Sequence, residues 1–247
     1  MTFEIEESEA FTNAFESFDL DNYLHNDESR HLNNVGLYKI NCLVIGKTGS
    51  GKTTWLIKSL LSGAIDDYKK IIVIIPRESM NSGLYNKLST NEELKKFFIF
   101  VIINEESLPT IEEFQKASNE IKGRIAIVID DFINSFTKYD WLMLKRYITQ
   151  LSRVKYGASL FVLTQYLQLL PVSYRKNFNM YVVFTNSFSK LQFNDLIRSY
   201  YDCQVLTKEQ EKNLFETTKQ TQHEPLILIN NGNPSHSLLF MGSYLIA

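Results

Sequence analysis

The chain is poor in cysteine, proline and glycine, with two, five and ten in 247 residues, and each shortage excludes a class of protein. Cys42 and Cys203 cannot build a disulfide framework or a zinc site alone, which points to a reducing compartment. No stretch rich in glycine, serine or proline divides the body, and no internal repeat is present, so one domain is expected after the N-terminal arm. Purely apolar runs are about five residues, as at 71–75 and 125–129, and reach seven only at 97–103, against the ~20 that a spanning helix needs. No membrane association is expected. The first thirty residues lack a basic n-region, which argues against a secretory signal. His25, His31, His223 and His236 are scattered without ligand spacing, so no histidine metal site is expected.

What is there is an ordinary globular balance, 44% hydrophobic and 22% charged, which excludes a largely disordered chain. The net charge of −2 conceals an asymmetry. Nine of the 28 acids and one of the 26 bases fall within residues 1–30, leaving an arm near −8 and a body near +6. A basic body suits a polyanionic partner, although many enzymes without one look the same.

From residue 37 onward, apolar runs rich in Ile, Val and Phe alternate with helical patterns. Strands are expected over 37–45, 71–75 (closed by Pro76), 97–103, 125–129, 159–164 and 180–185. Such short continuous runs suit strands buried on both faces, and their alternation with helices implies βαβ units in a mainly parallel sheet. Helices are expected over 52–62, from Pro109 as first helical residue to about 120, and over 138–153. In the last, Trp141, Leu144, Ile148 and Leu151 form one stripe. Thr207 with Gln210 fits a capping box opening a further helix to about 218. The runs 226–230 and 237–241 flank Asn231-Gly232-Asn233-Pro234 and read as a C-terminal β-hairpin.

Between the first strand and the first helix lies Gly46-Lys47-Thr48-Gly49-Ser50-Gly51-Lys52-Thr53, the P-loop pattern GxxxxGK(S/T). Its glycines let the backbone wrap tightly so that N–H groups point at phosphate oxygens, and the helix N-terminus adds partial positive charge. Gly46, Thr48, Gly49, Ser50, Gly51, Lys52, Thr53 and Thr54 are the expected nucleotide-binding set. Lys52 would reach the β- and γ-phosphates, and the Thr53 hydroxyl would ligate Mg²⁺. The strand at 125–129 ends in Asp130-Asp131, the Walker B form. Asp130 would hold Mg²⁺, and Asp131 would orient or deprotonate the attacking water. For Asp131, an N-cap or turn role is the alternative. Gln165 ends the strand at 159–164, where it could position water near the γ-phosphate; a loop-bonding glutamine is the alternative. The expected fold is α/β, a P-loop NTPase with a mainly parallel sheet flanked by helices, with an acidic arm over 1–34 and an ATPase domain over 35–247.

Asn86-Lys87-Leu88-Ser89 lacks the aspartate of a guanine-reading NKxD motif, and no LSGGQ-like signature is present, which disfavours Ras-like GTPases and ABC ATPases. Cys42, inside the first strand, is no nucleophile candidate.

Five features in order resemble the FtsK–HerA superfamily, and within it the genome-packaging ATPases of large nucleocytoplasmic DNA viruses and virophages. They are the P-loop at 46–53, the strand end at 71–76 with Tyr85 following, and Asp130-Asp131. Then come Tyr156-Gly157-Ala158-Ser159 leading to Thr164-Gln165, and Leu170-Pro171 with Arg175 and Asn177. The resemblance covers residues 37–190. It implies that the strand ending at Gln165 lies between the P-loop strand and the Walker B strand. It also implies a homo-oligomeric ring, a pentamer or hexamer, with nucleotide at the interface and an arginine supplied by the neighbour. Here the pattern departs, because Val154-Lys155 stands where packaging ATPases carry Arg-His. The arginine is therefore assigned among Arg153, Arg175 and Arg146, in that order, with a surface loop arginine as the alternative for Arg175.

The resemblance implies an ATP- and Mg²⁺-dependent motor that moves double-stranded DNA into a viral capsid. It also implies action in the host cytoplasm at the assembly site or on the virion, with a capsid protein as further partner. Lys87, Lys95 and Lys96 are candidates for phosphate contacts in a pore. Two other readings stay open: a P-loop kinase acting on a small acceptor, and an ATP-regulated assembly protein with little turnover. Phe11, Ala14, Phe15 and Phe18 fall at helical spacing among acids, so the arm is expected to dock on a basic neighbour surface or a capsid protein, with a solvated terminus as the alternative.

Overall fold

The computed structural model describes residues 40–245 apart from 63–64, 66–67, 82, 104–107, 131–132, 186–187, 201–207, 210–211, 214, 217–224, 230–237 and 242–243. Six apolar runs form parallel strands: β1 (Asn41–Ile45), β2 (Lys70–Pro76), β3 (Phe98–Ile103), β4 (Ile125–Ile129), β5 (Ala158–Thr164) and β6 (Met180–Val183). Three antiparallel strands continue the same sheet: β7 (Leu226–Ile229), β8 (Leu238–Met241) and β9 (Tyr244–Leu245). The spatial order is β3-β2-β4-β5-β1-β6-β7-β8-β9. β5 thus lies between the P-loop strand β1 and the Walker B strand β4, as the resemblance implied.

The described helices are α1 (Lys52–Leu61), α2 (Gly83–Thr90), α3 (Ile111–Ile121), α4 (Lys138–Gln150), α5 (Val172–Arg175) and α6 (Lys190–Tyr200). A strand sends alternate side chains to opposite faces, so each continuous apolar run feeds two cores. Leu43, Ile45, Ile127, Ile129 and Val162 pack with Phe114 of α3, Leu144 and Ile148 of α4, and Leu196 of α6. Val44, Val73, Val128, Phe161 and Leu163 pack with Leu56 and Leu60 of α1 and Leu84 and Leu88 of α2. Being covered on both sides is why these strands carry no polar alternation.

β3 departs from that expectation. It is an edge strand, paired on one side only, and Ile99 and Ile102 are 38% and 39% exposed. Other boundaries shift for local reasons. Phe97 belongs to a 3-10 turn (Lys95–Phe97) instead of the strand. Pro109 is not the first helical residue: Thr110 is the N-cap of α3, in a reciprocal capping box with Glu113. α4 ends at Gln150 and tightens into a 3-10 turn, Leu151–Arg153. β6 stops at Val183, and Phe184 N still bonds Ile45 O at 2.8 Å. The 226–230 and 237–241 runs do pair antiparallel, and β7 joins the hairpin to β6. α2, α5, α6 and β9 were not anticipated. The acidic arm, the Thr207–Gln210 box, the turn at 231–234, Cys203 and the four histidines lie outside the described residues.

A second capping box, Thr137 with Asp140, opens α4. The buried Asp140 carboxylate also accepts from Leu108 N at 3.1 Å, tying the segment before α3 to α4. Thr110→Ala, which removes a cap only, is expected to cost about 1 kcal/mol. Asp140→Ala, which strands buried donors, is expected to cost about 2–3 kcal/mol. Urea unfolding of the two variants measures the difference.

Candidate nucleotide site at the carboxyl ends of the strands

β1 ends at Ile45 and α1 begins at Lys52, so six residues must reverse the chain. The loop is anchored at its start by Gly46 N donating to Thr164 O at 3.2 Å, and it closes on itself through Ser50 N to Lys47 O at 3.1 Å. A side chain at Gly46 would bring a Cβ within 2.6 Å of Ser50 Oγ and 2.8 Å of Phe184 Cβ. Gly51 has φ +92° and serves as the N-cap of α1 without any side-chain cap bond. The first turn of α1 therefore points its N–H groups into the loop with no side chain capping them and no acid within the turn itself, an arrangement suited to phosphate.

Lys52 is buried, and its Nζ donates to Gly46 O at 2.7 Å and Lys47 O at 2.9 Å. The ammonium thus sits inside the loop that the glycines shape. Thr48 and Gly49 are exposed, and Thr54 is half-buried on the first turn of α1.

Asp130 directly follows β4, and its N–H continues the ladder to Ile74 O at 3.1 Å. Its carboxylate is 2% exposed. Oδ2 accepts from Thr53 Oγ1 at 2.8 Å and from Tyr85 Oη at 2.5 Å. A buried carboxylate is costly unless donors satisfy it, and two hydroxyls from two helices do so here. The pair assigned to Mg²⁺, Thr53 and Asp130, is therefore in direct contact. Its donor atoms are hard oxygens, and few in number. That fits Mg²⁺, which takes one or two protein ligands and fills the remainder with water and phosphate oxygens.

Gln165 follows β5 and is half-buried. Because β5 lies between β1 and β4, Gln165 belongs to the same carboxyl edge as the P-loop and Asp130. Asp131 lies outside the described residues. The three arginines do not share one location. Arg153 is exposed in the turn before β5, at the opposite, amino end of the sheet, and Arg146 is exposed on α4. Arg175 is half-buried on α5, its Nε donating to Leu170 O at 2.7 Å. Cys42 is buried in β1, and desolvation pushes its thiol well above the usual range, keeping it protonated.

Tyr85 is the residue that reading the sequence undervalued. In the sequence it stands only as a tyrosine after the strand end at 71–76. α2 carries it on a buried face with Leu84 and Leu88, and its ring meets Phe100 edge-on at 6.1 Å. The Leu84/Leu88 spacing signals the helix, but no local pattern signals that its hydroxyl reaches a strand paired with β2. Tyr85→Phe is expected to lower stability by about 1–2 kcal/mol through the lost bond to a buried carboxylate. Gly46→Ala is expected to destabilise by about 1–3 kcal/mol through overpacking. Thermal unfolding of both variants checks these values.

The profile of the poxvirus A32 protein family matches residues 30–232. No curated protein sequence is significantly similar to the chain. Among solved structures, B204, the DNA-packaging ATPase from Sulfolobus turreted icosahedral virus, superposes with a TM-score of 0.53 at 16% identity, covering 82% of this chain and 96% of that one. The genome packaging NTPase B204 from Sulfolobus turreted icosahedral virus 2, in complex with ATP-gammaS, gives 0.50 at 15% identity, covering 85% and 100%. Its complex with AMP gives 0.52 at 14%, covering 85% and 98%. These likenesses establish the P-loop NTPase fold. With a profile match over most of its length, the chain belongs to the poxvirus A32 protein family.

Proposed function

We propose that the chain is a Mg²⁺-dependent ATPase that drives double-stranded DNA into a viral capsid as a homo-oligomeric ring. The observation that carries the ATPase reading is the buried contact between Thr53 and Asp130 beside the Lys52-bearing loop. Packaging is supported by the family membership and by the fold shared with B204, itself a DNA-packaging ATPase. Among the described residues no helix is long and apolar enough to cross a membrane.

The N–H groups of the loop and the first turn of α1 bind the triphosphate, and Lys52 exchanges its backbone carbonyl partners for phosphate oxygens. Thr53 and Asp130 would hold Mg²⁺, which neutralises charge on the β- and γ-phosphates when bound. Tyr85 keeps the Asp130 carboxylate oriented. Gln165 and Asp131 orient the attacking water, and the water's proton passes to Asp131. An arginine of the neighbouring subunit stabilises charge on the transferring group, an effect of about 10³–10⁵ in rate. Arg153 is first choice for it, since it is exposed and away from its own chain's nucleotide site. Arg175, held by Leu170 O, is second and Arg146 third. A motor indifferent to sequence contacts phosphates, so DNA affinity should fall steeply with salt.

The test is phosphate release by the full chain with and without long duplex DNA, beside Lys52→Ala. Stimulation by DNA is expected, with loss of about 10²-fold or more in Lys52→Ala. Weakened DNA stimulation between 50 and 200 mM salt and loss of activity with EDTA are also expected. Hydrolysis indifferent to DNA would overturn the motor reading and leave the nucleotide site intact.

A further inference from the structure

The carboxyl edge of the sheet holds the nucleotide site, and the amino edge has a different chemistry. Four neighbouring strands are each preceded there by bases: Lys95 and Lys96 before β3, Lys69 with Lys70 at β2, Lys122 and Arg124 before β4, and Lys155 before β5. The spatial order β3-β2-β4-β5 puts them in one row. Hydrogen bonds stitch the row together: the Lys70 side chain donates through Nζ to Lys96 O, and the backbone joins Lys69 N to Arg124 O at 2.9 Å and Ile125 N to Gly157 O at 3.2 Å. Lys69, Lys95, Lys96, Lys122 and Lys155 are exposed. Among the described residues three acids lie nearby, Glu92 (paired with Lys95 at 2.5 Å), Glu93 and Glu120, and the sequence adds Asp66 and Asp67 just before Lys69. With the exposed Arg153 before β5 counted, eight bases against five acids leave the row positive.

The next strand along the row is β1, where residues 1–39 join the sheet. Leu160 N donates to Ile40 O at 2.8 Å, fixing that junction beside β5. Residues 1–30 carry nine acids and one base. The distance from β1 to β3 is four strand spacings, about 19 Å. The last acids, Asp27 and Glu28, precede Ile40 by about a dozen residues, which span up to ~40 Å. The covalent link at Ile40, beside the end of the row, therefore leaves the acidic segment within reach of the row's whole length.

We propose that the acidic segment 1–30 docks in cis across the basic amino edge formed at β3, β2, β4 and β5, occupying a surface that a polyanion would otherwise take. The bonding is electrostatic and phosphate-like: carboxylates on lysine ammoniums, held in register by the fixed strand spacing. This inference does not depend on the packaging reading and is tested without any activity measurement.

Zero-length carbodiimide crosslinking of the full chain, read by peptide mass spectrometry, tests it. Crosslinks from acids in residues 4–28 are expected on Lys69, Lys70, Lys95, Lys96, Lys122 and Lys155, severalfold above Lys138 and Lys190 at the other end of the sheet. They should fall about fivefold between 0.05 and 0.5 M NaCl as the screening length shortens. Lys95→Glu with Lys96→Glu and Lys122→Glu, all exposed and expected to leave the circular dichroism unchanged, should weaken the crosslinks remaining at Lys69, Lys70 and Lys155. In a mixture of ¹⁵N-labelled and unlabelled chain, crosslinks should join peptides of one isotope. Mixed-isotope crosslinks, an even spread over both ends of the sheet, or no crosslinks to the row would each overturn the proposal. In the last case, protection of the row's lysines from acetylation by duplex DNA would assign the surface to nucleic acid instead.

Discussion

A carboxylate withdrawn from water must be answered by donors, and at Asp130 that requirement joins three elements of the fold. Thr53 comes from α1, Tyr85 from α2, and the aspartate itself from the end of β4. Both hydroxyls converge on the same oxygen, Oδ2, so they compete for one set of lone pairs with any cation bound there. Thr53 and the cation would share that oxygen only by lengthening the direct hydrogen bond. Tyr85, held on α2 in the same core as α1, keeps the carboxylate fixed while its other partner changes. The ordinary reading of such a loop attends to Lys52 and Thr53; a second constraint on the carboxylate they face is supplied from the neighbouring helix α2.

The sheet order makes that convergence possible. In a parallel α/β sheet every strand presents its carboxyl end to one edge and its amino end to the other. β5 separates β1 from β4, so the loop after β1 and the acid after β4 flank the glutamine after β5. The same order gathers what precedes each strand. Residues 69–70, 95–96, 122–124 and 155 are far apart in sequence and are unremarkable individually, one or two bases in each connection. Strand adjacency alone turns them into a row.

This difference explains what was legible. The nucleotide loop and the run ending in Asp130 are local patterns, and their positions follow directly: Ile125–Ile129 is the strand expected, and α1 opens at Lys52. The place of β5 was legible only through resemblance, because order in a sheet leaves no mark on periodicity. β3 looked like a doubly buried strand, since FIFVII has no polar residue; its edge position is a property of the whole sheet. Pro109 suited a helix start, yet the Thr110–Glu113 pair made a better cap one residue on, because two reciprocal bonds outweigh a favourable φ. Tyr85 and the basic row were hidden for one reason: each depends on neighbours distant in the chain.

The root of the acidic arm is itself unusually braced, which bears on what the arm can do. Asn41, the first residue of β1, is buried, and its Nδ2 donates to Ile148 O at 3.0 Å and Asn177 O at 3.1 Å. Its backbone N–H donates to Asn179 Oδ1 at 2.8 Å, and Asn179 N returns a bond to Asn41 O at 3.0 Å. One side chain thereby links the end of α4, the segment after α5 and the start of β1. In the proposed docking, the covalent link to this fixed point would hold the arm's acids at high effective concentration near Lys155 and the strands beyond it. Were the root loosely held, charge complementarity would favour any basic partner equally. With the root fixed at the end of the row, binding in cis costs less ordering entropy than capture of a separate polyanion, and a competitor must overcome that advantage to reach the lysines.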